Sequence, residues 1–194
     1  MPLPTTVPRR PIHRRTIDLN GYERDDGLWD IEAQLIDTKG YTFENAWRGS
    51  MPPGTPVHEM WLRLTVDDDF IIHDVAASTD HSPFEMCPAI TSHYRRLIGA
   101  KIGPGWRKTV RSAVGGTEGC THHTELLGPL ATIVYQTIGP MLERKAREKR
   151  QQAADAGQDT ISEGQRMALL NTCHALAEDS PMVREHWPEH YKGR

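Results

Sequence analysis

Apolar and polar residues alternate with a period of two in the first half of the chain and with a helical period in the second. In residues 28–37, Trp29, Ile31, Ala33 and Leu35 point one way while Asp30, Glu32 and Gln34 point the other, which predicts a strand with one buried face. Residues 57–66 repeat the pattern, with His58 leading Met60, Leu62, Leu64 and Val66 on one face and Glu59, Trp61, Arg63 and Thr65 on the other. Asp67-Asp68-Asp69 then turns the chain into residues 70–77, so an antiparallel hairpin is predicted. Residues 17–19 and 41–47 give slighter strand signals, separated by the Asp26-Gly27 turn, Lys39-Gly40 and the Pro-rich loop 51–56.

Beyond residue 81 the apolar spacing becomes helical. Ser82-Pro83-Phe84-Glu85 reads as a capping box with Pro at the first helical position, followed by an irregular turn at Pro88 and a segment over 89–97. Trp106, Val110 and Val114 mark a short helix ending at Gly115-Gly116. Thr121 fits the N-cap of a longer helix with the stripe Leu126, Leu127, Leu130, Val134, Ile138 and Met141, which Gly139-Pro140 should bend or interrupt. Residues 144–157 read as an exposed linker or helix tail. Ser162 would then cap a last helix carrying Met167, Leu170 and Cys173. Strands first and helices afterwards predict an α+β fold, an antiparallel sheet with helices packed on one face. Residues 1–13 are expected to form a flexible arm, and 14–194 a single domain.

Composition narrows the function. A net charge of −3 leaves no basic field for nucleic acid. No apolar run approaches a bilayer span, and the Pro- and Arg-rich start has no secretory core. The 3 cysteines, Cys87, Cys120 and Cys173, form no CxxC pair, which suits a reducing, cytoplasmic setting without structural zinc. There is no GxGxxG, Walker A, GxSxG or HExxH, so neither a nucleotide nor any other cofactor is called for. An open sheet with exposed tryptophans is compatible with a homo-oligomer.

Three constellations carry candidate chemistry. Arg24-Asp25-Asp26-Gly27-Leu28-Trp29-Asp30-Ile31-Glu32 would set Asp30 and Glu32 on one sheet face about 7 Å apart. Covered, these carboxylates suit proton transfer; uncovered, they are a solvated face paired with Arg63 or Lys39. Val57-His58-Glu59-Met60-Trp61-Leu62-Arg63 offers acid and base around an aromatic surface, or a strand-start histidine and a cross-strand ion pair. In the third, 115–125, a Gly-rich turn leads Cys120, Thr121, His122 and His123 into a helix. Its free N–H groups could hold a phenolate or oxyanion, or simply form a capped start with a buried cysteine.

These same motifs resemble the bacterial domain-of-unknown-function family 2889. The matching stretches are 24–32 with Leu35, Asp37, Thr38 and Lys39; 54–64; Gly116 through Glu125-Leu126-Leu127; and Cys173-His174-Ala175. The resemblance implies aromatic catabolism: a lyase of lignin degradation that removes a hydroxymethyl group as formaldehyde from a phenylcoumaran-type dimer, leaving a stilbene. The reaction needs no redox cofactor, only acid, base and an aromatic-lined cleft. On that reading His58 or Glu59 is the base, Asp30 or Glu32 the acid, and Arg63 orients a phenolate or carboxylate. The 119–122 turn, with His122, stabilises negative charge. Asp25, Asp26, Trp29, Trp61, Lys39, Cys120 and Thr121 complete the expected substrate site. Two alternatives stand beside it: a metal-dependent hydrolase or lyase using His122 or His123 with Glu125 and His58, and a non-enzymatic aromatic-binding protein.

Overall fold

The alternation becomes a four-stranded antiparallel sheet in this computed structural model, which describes residues 3–155 and 170–193. The strands are β1 (His13–Glu23), β2 (Trp29–Lys39), β5 (Pro56–Val66) and β6 (Ile72–His81), in the spatial order β1-β2-β5-β6. A small hairpin, β3 (Phe43–Asn45) with β4 (Gly49–Met51), is inserted between β2 and β5. Helices follow from the second half: a 3₁₀ segment Cys87–Leu97, α1 (Trp106–Val114), α2 (Thr121–Asp155) and the short α3 (Pro181–His186). The fold is therefore α+β, with the 3₁₀ segment, α1 and the first part of α2 packed on one face of the sheet. The chain divides into two compact units, Met1–Glu143 and Arg144–Arg194, with the division inside α2.

The first unit contains the sheet and its core. Trp29, Ile31, Ala33 and Leu35 of β2 and Leu62, Leu64 and Val66 of β5 join Tyr94, Leu97, Trp106, Val110 and Val114 in one buried cluster. Leu126, Leu127, Leu130, Val134 and Ile138 of α2 complete it. The helical stripe read from spacing is thus the buried one. Gly21 of β1 shows how closely α2 passes: a Cβ there would lie 2.1 Å from Thr137 Oγ1.

Several local expectations differ. β1 runs over 11 residues rather than the short stretch 17–19, because its outer residues pair along the whole length of β2 although most are exposed. β6 begins at Ile72, since Phe70 takes a left-handed backbone (φ 64°) that extends the turn. Ser82 forms no capping box: its hydroxyl donates to the Phe84 carbonyl (2.9 Å), and the helical segment starts later, at Cys87. α2 continues through both Pro129 and Pro140 instead of breaking. A proline inside a helix costs about 3 kcal/mol, which burial of the α2 stripe offsets. In the second unit Ser180 caps α3, its side chain accepting from the Val183 N–H. Cys173 is exposed there, not core. The helix expected from Ser162 begins outside the described residues.

Candidate functional site

The core-facing alternation of β2 does not stop at Leu35. Asp37 is next on that face, and its side chain is only 1% exposed. Its cross-strand neighbours are Arg15 on β1 and His58 on β5. All three lie on the inner face, at the end of the sheet where β5 starts. A buried carboxylate needs partners, and Asp37 has many. Arg15 donates from Nε to Oδ1 (2.8 Å) and from Nη2 to Oδ2 (2.7 Å). His13 Nε2 lies 3.2 Å from Oδ1, and His58 Nδ1 3.1 Å from Oδ2. His122, from the first turn of α2, brings Nε2 to 3.7 Å of Oδ2. Arg15 also pairs with Glu125, one turn further along α2.

The first turn of α2 is held in place by its neighbours. Tyr94 Oη accepts from the Cys120 N–H (3.0 Å) and lies 2.9 Å from the Thr124 hydroxyl, tying α2 to the 3₁₀ segment. His123 is fully buried and its Nε2 donates to the Ser78 carbonyl of β6 (2.9 Å). His122 and His123 therefore separate: His123 anchors the helix to the sheet, while His122 turns toward His58. The His58 and His122 rings stack with centroids 3.7 Å apart. Cys120 Sγ lies 3.8 Å from the other nitrogen of His122, Nδ1.

Burial, with the neighbouring His122 and Arg15 against the opposing pull of Asp37, pushes His58 down to about 4. Burial and Arg15 lower His122 as well. Both rings are therefore neutral near pH 7. For Asp37, burial alone would raise the carboxyl, but the Arg15 guanidinium outweighs it and holds Asp37 below the usual carboxylate range. His58 and His122 line a cleft of about 340 Å³ whose walls include Met60, Pro83, Phe84, Met86, Ile90, Cys120 and Thr121. A second groove of about 540 Å³, built from Asn45, Ala46, Trp47 and residues 83–86, shares Pro83, Phe84 and Met86 with it.

Of the expected site residues, His58, His122, Cys120 and Thr121 come together here. The others do not join them. Asp30 accepts from the Thr65 hydroxyl (2.6 Å) and pairs with Arg24, which also holds Asp26; Asp25 is exposed. Glu32 and Arg63 face each other across β2 and β5 at 3.9 Å. Glu59 is bound by Gln34 (2.9 Å) and His81 (2.8 Å), and Trp61 Nε1 donates to Asp80 (3.1 Å). By strand alternation these lie on the sheet face away from the helices. Glu32 is also five residues from Asp37 along β2, about 16 Å at strand rise. Trp29 is a core residue whose indole donates to Asp68 (2.8 Å). Lys39 sits over Tyr41 and Phe43.

Asp37, Arg15 and His13 were not among the expected site residues. The signal for Asp37 was available: it sits two residues beyond Leu35 on an apolar face. Nothing local marks Arg15 or His13, whose roles depend on pairing with β2.

Residues 13–136 match the family described as protein of unknown function (DUF2889), and the chain belongs to it. No curated protein and no solved structure matches the chain. Among the described residues no helix is long and apolar enough to cross a membrane.

Proposed function

We propose that this protein is a lyase that acts on a phenolic, lignin-derived dimer of the phenylcoumaran type, with its working centre at Asp37, His58 and His122. The observation that carries the reading is the pair of neutral imidazoles, stacked over a buried, Arg-held carboxylate, in a cleft with Met60, Phe84, Met86 and Ile90. Neutral bases beside apolar walls suit an uncharged alcohol bound next to an aromatic ring. The adjoining groove with Trp47 gives room for a second ring.

The reaction follows from these parts. The substrate's primary alcohol loses its proton at the Asp37–His58–His122 cluster. Its oxygen then forms the C=O of formaldehyde as the carbon–carbon bond breaks. That electron pair becomes the new alkene, and the ring C–O bond opens to a phenoxide, which takes up a proton. The start of α2, at Cys120 and Thr121, lies on the same cleft. Its positive helix end favours the developing phenoxide. No electrons enter or leave, so no redox partner is needed.

The test is an assay of purified protein with a phenylcoumaran alcohol. Formaldehyde and stilbene are expected in equal amounts. Tight binding of the dimer with no product would make the protein a binder, and neither binding nor product from a panel of such dimers would remove this substrate class.

A further inference from the structure

We propose that Asp37, His58 and His122 hold a divalent transition-metal ion. This deepens the reading of the cleft as the working centre. It rests on that reading for what the ion does, not for where it binds.

Three ligand atoms, one from each residue, lie within 4.8 Å of one another. His58 Nδ1 and His122 Nε2 are 3.1 and 3.7 Å from the same carboxylate oxygen, Asp37 Oδ2. Ligands on a tetrahedral ion with bonds of about 2.0–2.1 Å are about 3.3 Å apart, so these separations already bracket the required value. The two rings now stack at 30°, so binding an ion requires them to rotate apart until both nitrogens face it. The three donors come from β2, β5 and α2, and two imidazoles with one carboxylate match borderline ions such as zinc or ferrous iron.

The surroundings fit a ligand set. Ligating carboxylates are themselves held by hydrogen bonds, and Arg15 holds both oxygens of Asp37. Its positive charge does not forbid a cation, because Glu125 pairs with the same guanidinium and adds a second negative charge to the cluster. His58 and His122 both line the cleft, so an ion between them would be approached from it. A Lewis acid there would bind the substrate's alcohol oxygen and favour the alkoxide.

The test uses tag-free, full-length protein. Metal content is measured by inductively coupled plasma mass spectrometry, and Co²⁺ is titrated into chelator-treated protein while visible absorption is followed. One equivalent is expected, with ligand-field bands that saturate at that ratio. His58→Ala and His122→Ala should each weaken Co²⁺ binding at least about a hundredfold. His73→Ala, whose ring meets Asp67 on the β5–β6 turn, should bind as wild type. Less than a tenth of an equivalent with no Co²⁺ bands would overturn the proposal, as would undiminished binding in both cleft variants. An ion bound without formaldehyde release supports the metal site and counts against the lyase; formaldehyde release by metal-free protein does the reverse.

Discussion

Asp37 carries a charge where its strand otherwise buries Trp29, Ile31, Ala33 and Leu35. Such a position is stable only while its partners remain. Asp37→Asn keeps the shape but leaves Arg15 without its main carboxylate, so we expect a loss of about 1–3 kcal/mol in denaturant unfolding, discounted for the part of Arg15 that water reaches. The pH dependence has a definite sign. The folded carboxyl lies below its unfolded value, so its stabilisation is complete above about pH 4, the usual aspartate range, and is lost as pH falls through the folded value. In metal-free protein the acid limb of the stability curve should therefore flatten in Asp37→Asn; an unchanged limb would mean that Asp37 is not the group being titrated. Among single residues, His58 and His122 were legible because a histidine on an apolar strand face, or beside a helix start, demands a partner. Asp37 obeys the same rule one step further along β2. The density of carboxylates at 25–32 points to the other sheet face, since composition does not tell which face is covered.

The elements follow from periodicity more directly than the site does. β2, β5 and the buried stripe of α2 lie where alternation and helical spacing put them, because each buries one continuous face. The length of β1 and the continuity of α2 through Pro140 are decided by partners distant in sequence, and the late start of β6 by the left-handed turn at Phe70. The β1–α2 contact gives a sharp test. Gly21→Val forces a side chain into Thr137, and should destabilise the protein by about 1–3 kcal/mol as an overpacked site. Adding Thr137→Ala should restore part of the loss; full additivity in thermal unfolding would mean the two positions do not touch. Within α2, Leu130→Ala removes a fully buried side chain and should cost about 2–5 kcal/mol.

At the scale of the molecule, the sheet separates two sets of ionisable groups. One set, Asp30, Glu32, Glu59 and Arg63, is paired strand to strand on the outer face. The other, around Asp37, lies between the sheet and the start of α2 and reaches the cleft through His58 and His122. On the proposed reading, chemistry that needs bases held neutral belongs with the second set. The α+β layering was legible from the order of strands and helices. The choice between the two faces was not, because it depends on where α2 lands. That choice is tested most directly by formaldehyde release from one phenylcoumaran substrate, measured for His58→Ala and Glu32→Gln, with folding of both verified by thermal unfolding. The account predicts a fall of at least about a hundredfold for His58→Ala, within the range of a lost acid/base or ligand group, and a near wild-type rate for Glu32→Gln. The reverse pattern would place the working site on the outer face and contradict it.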